Sequence, residues 1–142
     1  MEDNYISNEE EVKAHLSKLE YALKQSNLMI EFQFKRKVDD NRPIQYTNQY
    51  TLATLFPDDS PVEVMKRELK KLRVENYMWT VKDKRFRNKS DMFVYAIKYT
   101  DYVYIKIRVE LINIKYLSNY VFVMSFHFSD RLIEEKDFPY KN

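Results

Sequence analysis

The chain has 142 residues, 44% of them hydrophobic, and a formal net charge of +2, which is typical of a single globular domain spanning residues 1–142. It contains no cysteine, which excludes disulfides, thiolate nucleophiles and zinc–thiolate sites. It also contains no glycine, which argues against Walker loops, dinucleotide-binding fingerprints, EF-hand loops and the esterase nucleophile elbow.

The charges are distributed unevenly along the chain. Residues 28–90 carry fourteen basic and nine acidic residues, whereas residues 1–27 are acidic and residues 91–142 are balanced. A basic middle segment indicates local contact with a polyanion, not a protein that coats DNA. Acidic residues follow Met1, and no apolar run approaches the ~18 residues of a membrane span. We therefore expect a soluble, cytoplasmic protein that does not contact a membrane.

A helix is predicted near the start of the sequence, where Ser7 and Glu10 have the spacing of a capping box. Apolar residues then recur at steps of four and three, which predicts an amphipathic helix of about 16 residues. This apolar stripe consists of Val12, Leu16, Leu19 and Leu23. His15 lies at its edge, so a structural role is favoured over a catalytic one.

A strand and a short helix are predicted next. Residues 28–37 alternate apolar and polar side chains, as a half-buried strand does. Residues 50–56 predict a short helix that ends at Pro57.

A second well-marked helix begins at Ser60 and Pro61, which have the pattern of a helix N-terminus. Its apolar face is predicted to consist of Val62, Met65, Leu69 and Leu72. Residues 75–81, which include the single tryptophan Trp79, predict a further short helix or turn.

Residues 82–89 combine five cationic side chains with one acidic residue and one aromatic ring. Such a segment could hold an RNA backbone and stack a base, or it could simply be a solvated loop. The residues that we assign to RNA binding are Lys82, Lys84, Arg85, Phe86, Arg87 and Lys89.

Three strands are predicted in the last third of the chain, over residues 93–99, 103–111 and 120–128. Their short connections imply antiparallel pairing. Together with the strand at 28–37, they predict an α+β fold. In this fold an antiparallel sheet of about four strands packs against the N-terminal and middle helices.

The central strand of these three has a polar face that carries Tyr104, Lys106 and Arg108, opposite four β-branched residues. The next strand ends near His127. These side chains suit cleavage of an RNA phosphodiester, with His127 as base or acid and the two cations as counter-charges to the phosphorane. Tyr104 could position the phosphate or donate a proton.

Two points about this group stay open at the level of sequence. Both faces of the last strand are largely apolar, so its alternation does not decide whether His127 points to the same side as Tyr104. A merely solvated sheet face is the other interpretation of the polar row.

Four segments in chain order also carry a family resemblance: Thr51-Leu52-Ala53-Thr54-Leu55, Leu72-Arg73-Val74-Glu75-Asn76-Tyr77, Val103-Tyr104-Ile105-Lys106-Ile107 and Val123-Met124-Ser125-Phe126-His127. Because these four segments occur in this order, the chain resembles the MqsR-type mRNA interferase toxins, which have the RelE-like fold of small bacterial ribonucleases. The resemblance extends over residues 28–128. Outside it lie the first helix and the connection between residues 111 and 120.

The resemblance implies the toxin of a type II toxin–antitoxin system. Such a toxin is a metal-independent endoribonuclease that cleaves mRNA, uses no cofactor and is neutralised by a cognate antitoxin protein. Tyr104 stands at the family's strand tyrosine, Lys106 at its strand lysine and His127 at its last-strand basic residue.

The chain departs from the family at one position. Some members have a catalytic lysine where this chain has Trp79 or Thr80, and Lys82 or Arg85 could supply that charge instead. The departure favours an alternative, a non-catalytic binding protein such as a phage-encoded inhibitor or a RelE-like domain without activity. Such a protein would act on a protein target through a basic and aromatic surface. Aromatic residues make up 15% of the chain, and they are enriched at protein interfaces.

Overall fold

The computed structural model describes residues 3–35, 42–82, 90–113 and 118–141. Within these ranges the chain forms three α-helices, namely α1 (Glu9–Leu23), α2 (Asn48–Leu55) and α3 (Pro61–Glu68). The same ranges contain six strands, which are β1 (Asp3–Tyr5), β2 (Met29–Phe32), β3 (Tyr77–Lys82), β4 (Met92–Lys98), β5 (Tyr102–Asn113) and β6 (Ser118–Phe128). The predicted α+β class is confirmed. None of the described helices has the length and apolar character needed to cross a membrane.

The strands form one sheet in the order β1-β3-β4-β5-β6-β2. All neighbours pair antiparallel except β2, which pairs parallel with β6. The prediction of about four antiparallel strands was therefore wrong in number and, for β2, in direction, whereas the antiparallel pairing of β4, β5 and β6 is confirmed. The parallel pair joins segments that are far apart in sequence, so short connections gave no indication of it.

Two strands were not predicted, each for a local reason. β1 has only three residues and all are exposed, so it has no buried face to produce an alternating pattern. β3 was predicted as a helix or turn. Its pairing with β4 shifts between Tyr77 and Trp79, and this irregularity interrupts the period of two.

Helix α1 is confirmed, although its cap lies one residue further on than predicted. Asn8 and Glu11 form the capping box, and their side chains and backbone amides bond reciprocally at 2.8 and 3.1 Å. Ser7 instead bonds to Thr80 of β3, with 2.6 Å between their hydroxyl oxygens. The first helix is thereby tied to the sheet at its N-terminus.

The apolar face of α3 differs from the prediction at one position. Met65, Leu69 and Leu72 are buried as expected, but Val62 is 38% exposed and Val64 is buried in its place. The buried stripe also includes the carboxylate of Glu68, which a hydrophobic pattern does not count. The buried face of α3 therefore consists of Val64, Met65 and Glu68, and Val62 lies outside it.

The two sides of the sheet have separate hydrophobic cores. On one side, inward residues of β5 and β6 form one cluster with residues of all three helices. On the other side, residues of β3, β4 and β6 pack beneath the segment that follows β6, which contributes Ile133 and Phe138. Both side chains are buried and form part of the second core.

Candidate active site

Tyr104 and His127 lie side by side on the sheet face opposite the helices. They are cross-strand partners in the β5–β6 pair, and their rings stack with centroids 5.4 Å apart. Lys106 is paired in the same way with Ser125. Because directly opposed residues project to the same side of a sheet, the phenol, the ammonium group and the imidazole share one face.

A β-bulge in β6 brings His127 to this face. Lys106 pairs with Ser125 but Ile107 pairs with Val123, so Met124 is an additional residue in β6. Before the bulge, Val123 is buried towards the helices. After it, Ser125 and His127 point to the opposite side although they share the parity of Val123. This one extra residue is the reason that His127 points to the same side of the sheet as Tyr104.

A cavity of about 190 Å³ opens at this point on the sheet. The described residues that line it are Arg42, Tyr104, Lys106, Ser125, His127, Asp130 and Arg131. Three of these side chains are cationic and one is a carboxylate, so the cavity carries a net positive charge. A small concave site of this charge attracts and concentrates anionic groups.

The imidazole of His127 is oriented by a hydrogen bond from each side. Its Nδ1 lies 2.8 Å from the carbonyl oxygen of Phe128, which can only accept, so Nδ1 carries the proton. Nε2 lies 3.3 Å from Nη1 of Arg42 and accepts from that guanidinium. This pattern assigns the lone pair of the ring to Nε2.

Lys106 and Arg108 occupy different environments although both point to the same face. The side chain of Lys106 is only 5% exposed and reaches the cavity. Arg108 is also buried, but it is not among the described residues that line the cavity. Its Nε donates to the carbonyl oxygen of Ser90 at 2.9 Å, and its guanidinium lies 5.3 Å from the ring centroid of Phe122.

Most of the predicted RNA-binding segment lies outside the described residues, namely Lys84, Arg85, Phe86, Arg87 and Lys89. Lys82 is described and stands exposed at the end of β3, paired in register with Asp3 of β1. It is not among the described residues of the cavity.

Two cations of the cavity, Arg42 and Arg131, were not predicted from the sequence. Arg42 comes from the connection between β2 and α2, and Arg131 from the segment after β6. Both are isolated basic residues in non-periodic segments, so neither had a pattern that could have identified it. Only the folded chain brings them to the cavity.

His15 has the structural role that the sequence favoured. Its ring stacks on Phe93 with centroids 3.9 Å apart, and Nδ1 lies 2.7 Å from the hydroxyl of Tyr95. Burial, with a smaller effect of Lys18, lowers the pKa of His15 to about 3. The ring is therefore a neutral core group on the helix side of the sheet, away from the cavity.

Within the described ranges, no cluster of three or more histidine, aspartate or glutamate side chains has an arrangement that would hold a metal ion. Comparison of the chain with family models, curated proteins and solved structures gives no match.

Proposed function

We propose that this protein is an endoribonuclease toxin that cleaves mRNA without a metal ion and is neutralised by an antitoxin protein. The supporting observation is the convergence of Tyr104, Lys106 and His127 on one positively charged cavity. These are the residues that the resemblance to MqsR-type toxins marks as functional. The RelE-like assignment of the α+β fold is part of the same proposal and depends on the same resemblance.

His127 is the general base of the proposed reaction. Nε2 holds the lone pair of the ring, and the bond from Nδ1 to Phe128 keeps the ring in that tautomer. When RNA enters, Arg42 exchanges its contact with Nε2 for a phosphate oxygen, and Nε2 accepts the proton of the ribose 2′-hydroxyl. General base catalysis of this kind contributes about 10²–10⁴-fold in rate.

The cations stabilise the charge that develops on phosphorus. The 2′-oxygen attacks the phosphorus, the bond from phosphorus to the 5′-oxygen breaks, and negative charge accumulates on the non-bridging oxygens. Lys106 is buried, lines the same cavity as His127 and opposes this charge. Arg42 joins it once it has left Nε2.

Tyr104 is the general acid. Its ring is stacked on that of His127, so its hydroxyl belongs to the same cavity and donates a proton to the departing 5′-oxygen. The products are an RNA end with a 2′,3′-cyclic phosphate and an RNA end with a 5′-hydroxyl. The tyrosine recovers its proton from the imidazolium through solvent before the next turnover.

The decisive experiment is cleavage of labelled RNA by purified protein in EDTA, followed by analysis of the new ends. We expect a 2′,3′-cyclic phosphate, and we expect His127→Gln and Lys106→Ala to reduce the rate by about 10²-fold or more. Lys98→Ala is the matched control, because Lys98 is an exposed lysine on the neighbouring strand β4. Intact RNA in the presence of folded wild-type protein would refute the proposal.

One observation favours the alternative, a non-catalytic binding protein. Both ring nitrogens of His127 have hydrogen-bond partners within the protein, and the side chain is only 6% exposed. If Arg42 holds Nε2 permanently, the cavity lacks a base. The protein then acts only by binding, through the basic and aromatic surface that the alternative assumes. A stable complex with a protein target, formed by protein that leaves RNA intact, would identify this alternative.

A further inference from the structure

Arg131 reaches the cavity from the segment after β6, not from the sheet. Its backbone is fixed by Ser129, whose hydroxyl donates to the Arg131 carbonyl oxygen at 2.8 Å and lies 3.2 Å from the Arg131 amide nitrogen. Two residues further on, Ile133 is buried in the second core. The chain is thus anchored on both sides of Arg131, so its side chain starts from a defined position.

The guanidinium of Arg131 is placed by Trp79. The guanidinium carbon lies 4.9 Å from the centroid of the Trp79 ring, and that ring lies 6.1 Å from the ring of Tyr104. A cation above an aromatic face is attracted by the ring, so this contact holds the guanidinium beside Trp79. A guanidinium can bind a phosphate through two parallel N–H groups, and the contact with the ring does not consume these donors.

We propose that Arg131, positioned by Trp79, binds an RNA phosphate next to the one that is cleaved. This rests on the proposed function and adds a substrate-binding residue to the same site. Arg131 lines the cavity and is exposed, whereas Lys106 is buried and lines the same cavity as the proposed base His127. Asp130 also lines the cavity and offsets one positive charge, but the three cations still leave the described lining net positive.

The first measurement uses binding of a non-cleavable RNA with 2′-O-methyl groups, together with cleavage of the normal RNA. Arg131→Gln should raise both Kd and KM about tenfold with kcat nearly unchanged, because it removes one charge-assisted contact that forms before the reaction. The dependence of log Kd on log salt should become shallower by about 0.7. Lys136→Gln is the matched control, since it removes one charge from the same segment, outside the described lining of the cavity.

The second measurement tests Trp79. Trp79→Leu should raise Kd in the same direction and Trp79→Phe should do so less, since phenylalanine keeps an aromatic face. The double variant Trp79→Leu/Arg131→Gln should be no weaker than Arg131→Gln alone. Additive effects would overturn the positioning role of Trp79.

The outcomes separate this inference from the proposed function. If wild-type protein cleaves RNA and Arg131→Gln leaves Kd, KM and the salt dependence unchanged, the inference is wrong and the nuclease stands. If wild-type protein binds the 2′-O-methyl RNA without cleaving normal RNA, the nuclease fails and the Kd of Arg131→Gln still tests the contact. Wild-type protein that neither binds nor cleaves RNA would overturn both.

Discussion

The ring of Tyr104 lies against that of His127, with centroids 5.4 Å apart and planes inclined by 22°. This pair joins β5 to β6 at the cavity and connects the acid and the base of the proposed reaction. The stacking also means that the phenol hydroxyl can be removed while the ring that supports His127 is kept.

Tyr104→Phe should therefore fold normally and lose activity. We expect single-turnover cleavage to slow by about 10²–10⁴-fold, because the donor to the leaving oxygen is gone while the stack is preserved. Tyr102→Phe is the matched control, since Tyr102 lies on the same strand and packs on Phe138 with ring centroids 5.8 Å apart. Cleavage by Tyr104→Phe at the wild-type rate would show that another group donates the proton.

Arg108 should matter more for stability than for chemistry. Arg108→Met leaves the Ser90 carbonyl oxygen without this donor and should lower the free energy of unfolding by about 1–3 kcal/mol in urea titrations. We expect the folded fraction of this variant to cleave RNA much faster than Lys106→Ala does. Equal losses of activity in the two variants, measured on folded protein, would return Arg108 to the catalytic group.

His15 should make stability depend on pH below neutrality. The folded-state pKa of about 3 lies below the ordinary histidine value of 6.5, so the unfolded chain binds the proton first. Above pH 6.5 His15 does not lower the free energy of unfolding. As pH decreases from 6.5 towards 3 this free energy falls, by about 2 kcal/mol at pH 5. Urea titrations between pH 7.5 and 5 measure this slope.

The control for that slope is the second histidine. His15→Gln should flatten the dependence between pH 6.5 and 5, even if the variant is less stable overall. His127→Gln retains His15 and should keep the dependence. A slope that survives in His15→Gln would assign the titration to another group.

Glu68 is a buried carboxylate whose charge is balanced by its neighbours. Burial raises the pKa of Glu68, but hydrogen bonds from Tyr99, Arg67 and Lys71 outweigh that effect and leave the pKa below its ordinary value. Its contribution to stability is therefore present above pH 4.5 and is lost as pH falls through the lowered pKa.

Replacement of Glu68 should show the same contribution at neutral pH. The side chain is 1% exposed, so Glu68→Gln should lower the free energy of unfolding by about 1–3 kcal/mol, because Gln cannot accept all three bonds as a carboxylate does. Glu63→Gln, on the exposed side of α3, should change it by less than about 0.5 kcal/mol. Equal effects of the two substitutions, seen by thermal denaturation, would contradict this account.

The sequence predicted elements wherever one buried face produced a clear period. The stripe from Val12 to Leu23 identified α1, and the alternation from Val103 to Val109 identified β5 together with the face of Tyr104 and Lys106. β1 is exposed throughout and the pairing of β3 with β4 is irregular, so neither shows a regular period and both strands were missed. Hydrophobic patterning detects a difference between a buried face and an exposed face, and these two strands show no regular difference of this kind.

The candidate site was predictable in its strand residues and not in its loop residues. Tyr104 and Lys106 follow from alternation, whereas the direction of His127 depends on a bulge that a uniform period cannot express. Arg42 and Arg131 come to the cavity only through the packing of segments that have no regular pattern. Outside the site, the burial of Glu68 in α3 likewise depends on a partner distant in sequence, the hydroxyl of Tyr99.

Strand β6 is held on both sides, by β5 along one edge and by β2 along the other. The bond between Tyr120 and Glu31 closes a separation of 89 residues, so this part of the sheet forms through contacts that are slow to assemble. A partly folded chain in which β6 has not yet docked would have neither His127 nor Arg131 in place. The proposed activity therefore requires the insertion of this final strand, and we expect a nascent chain that lacks it to leave the message being translated intact.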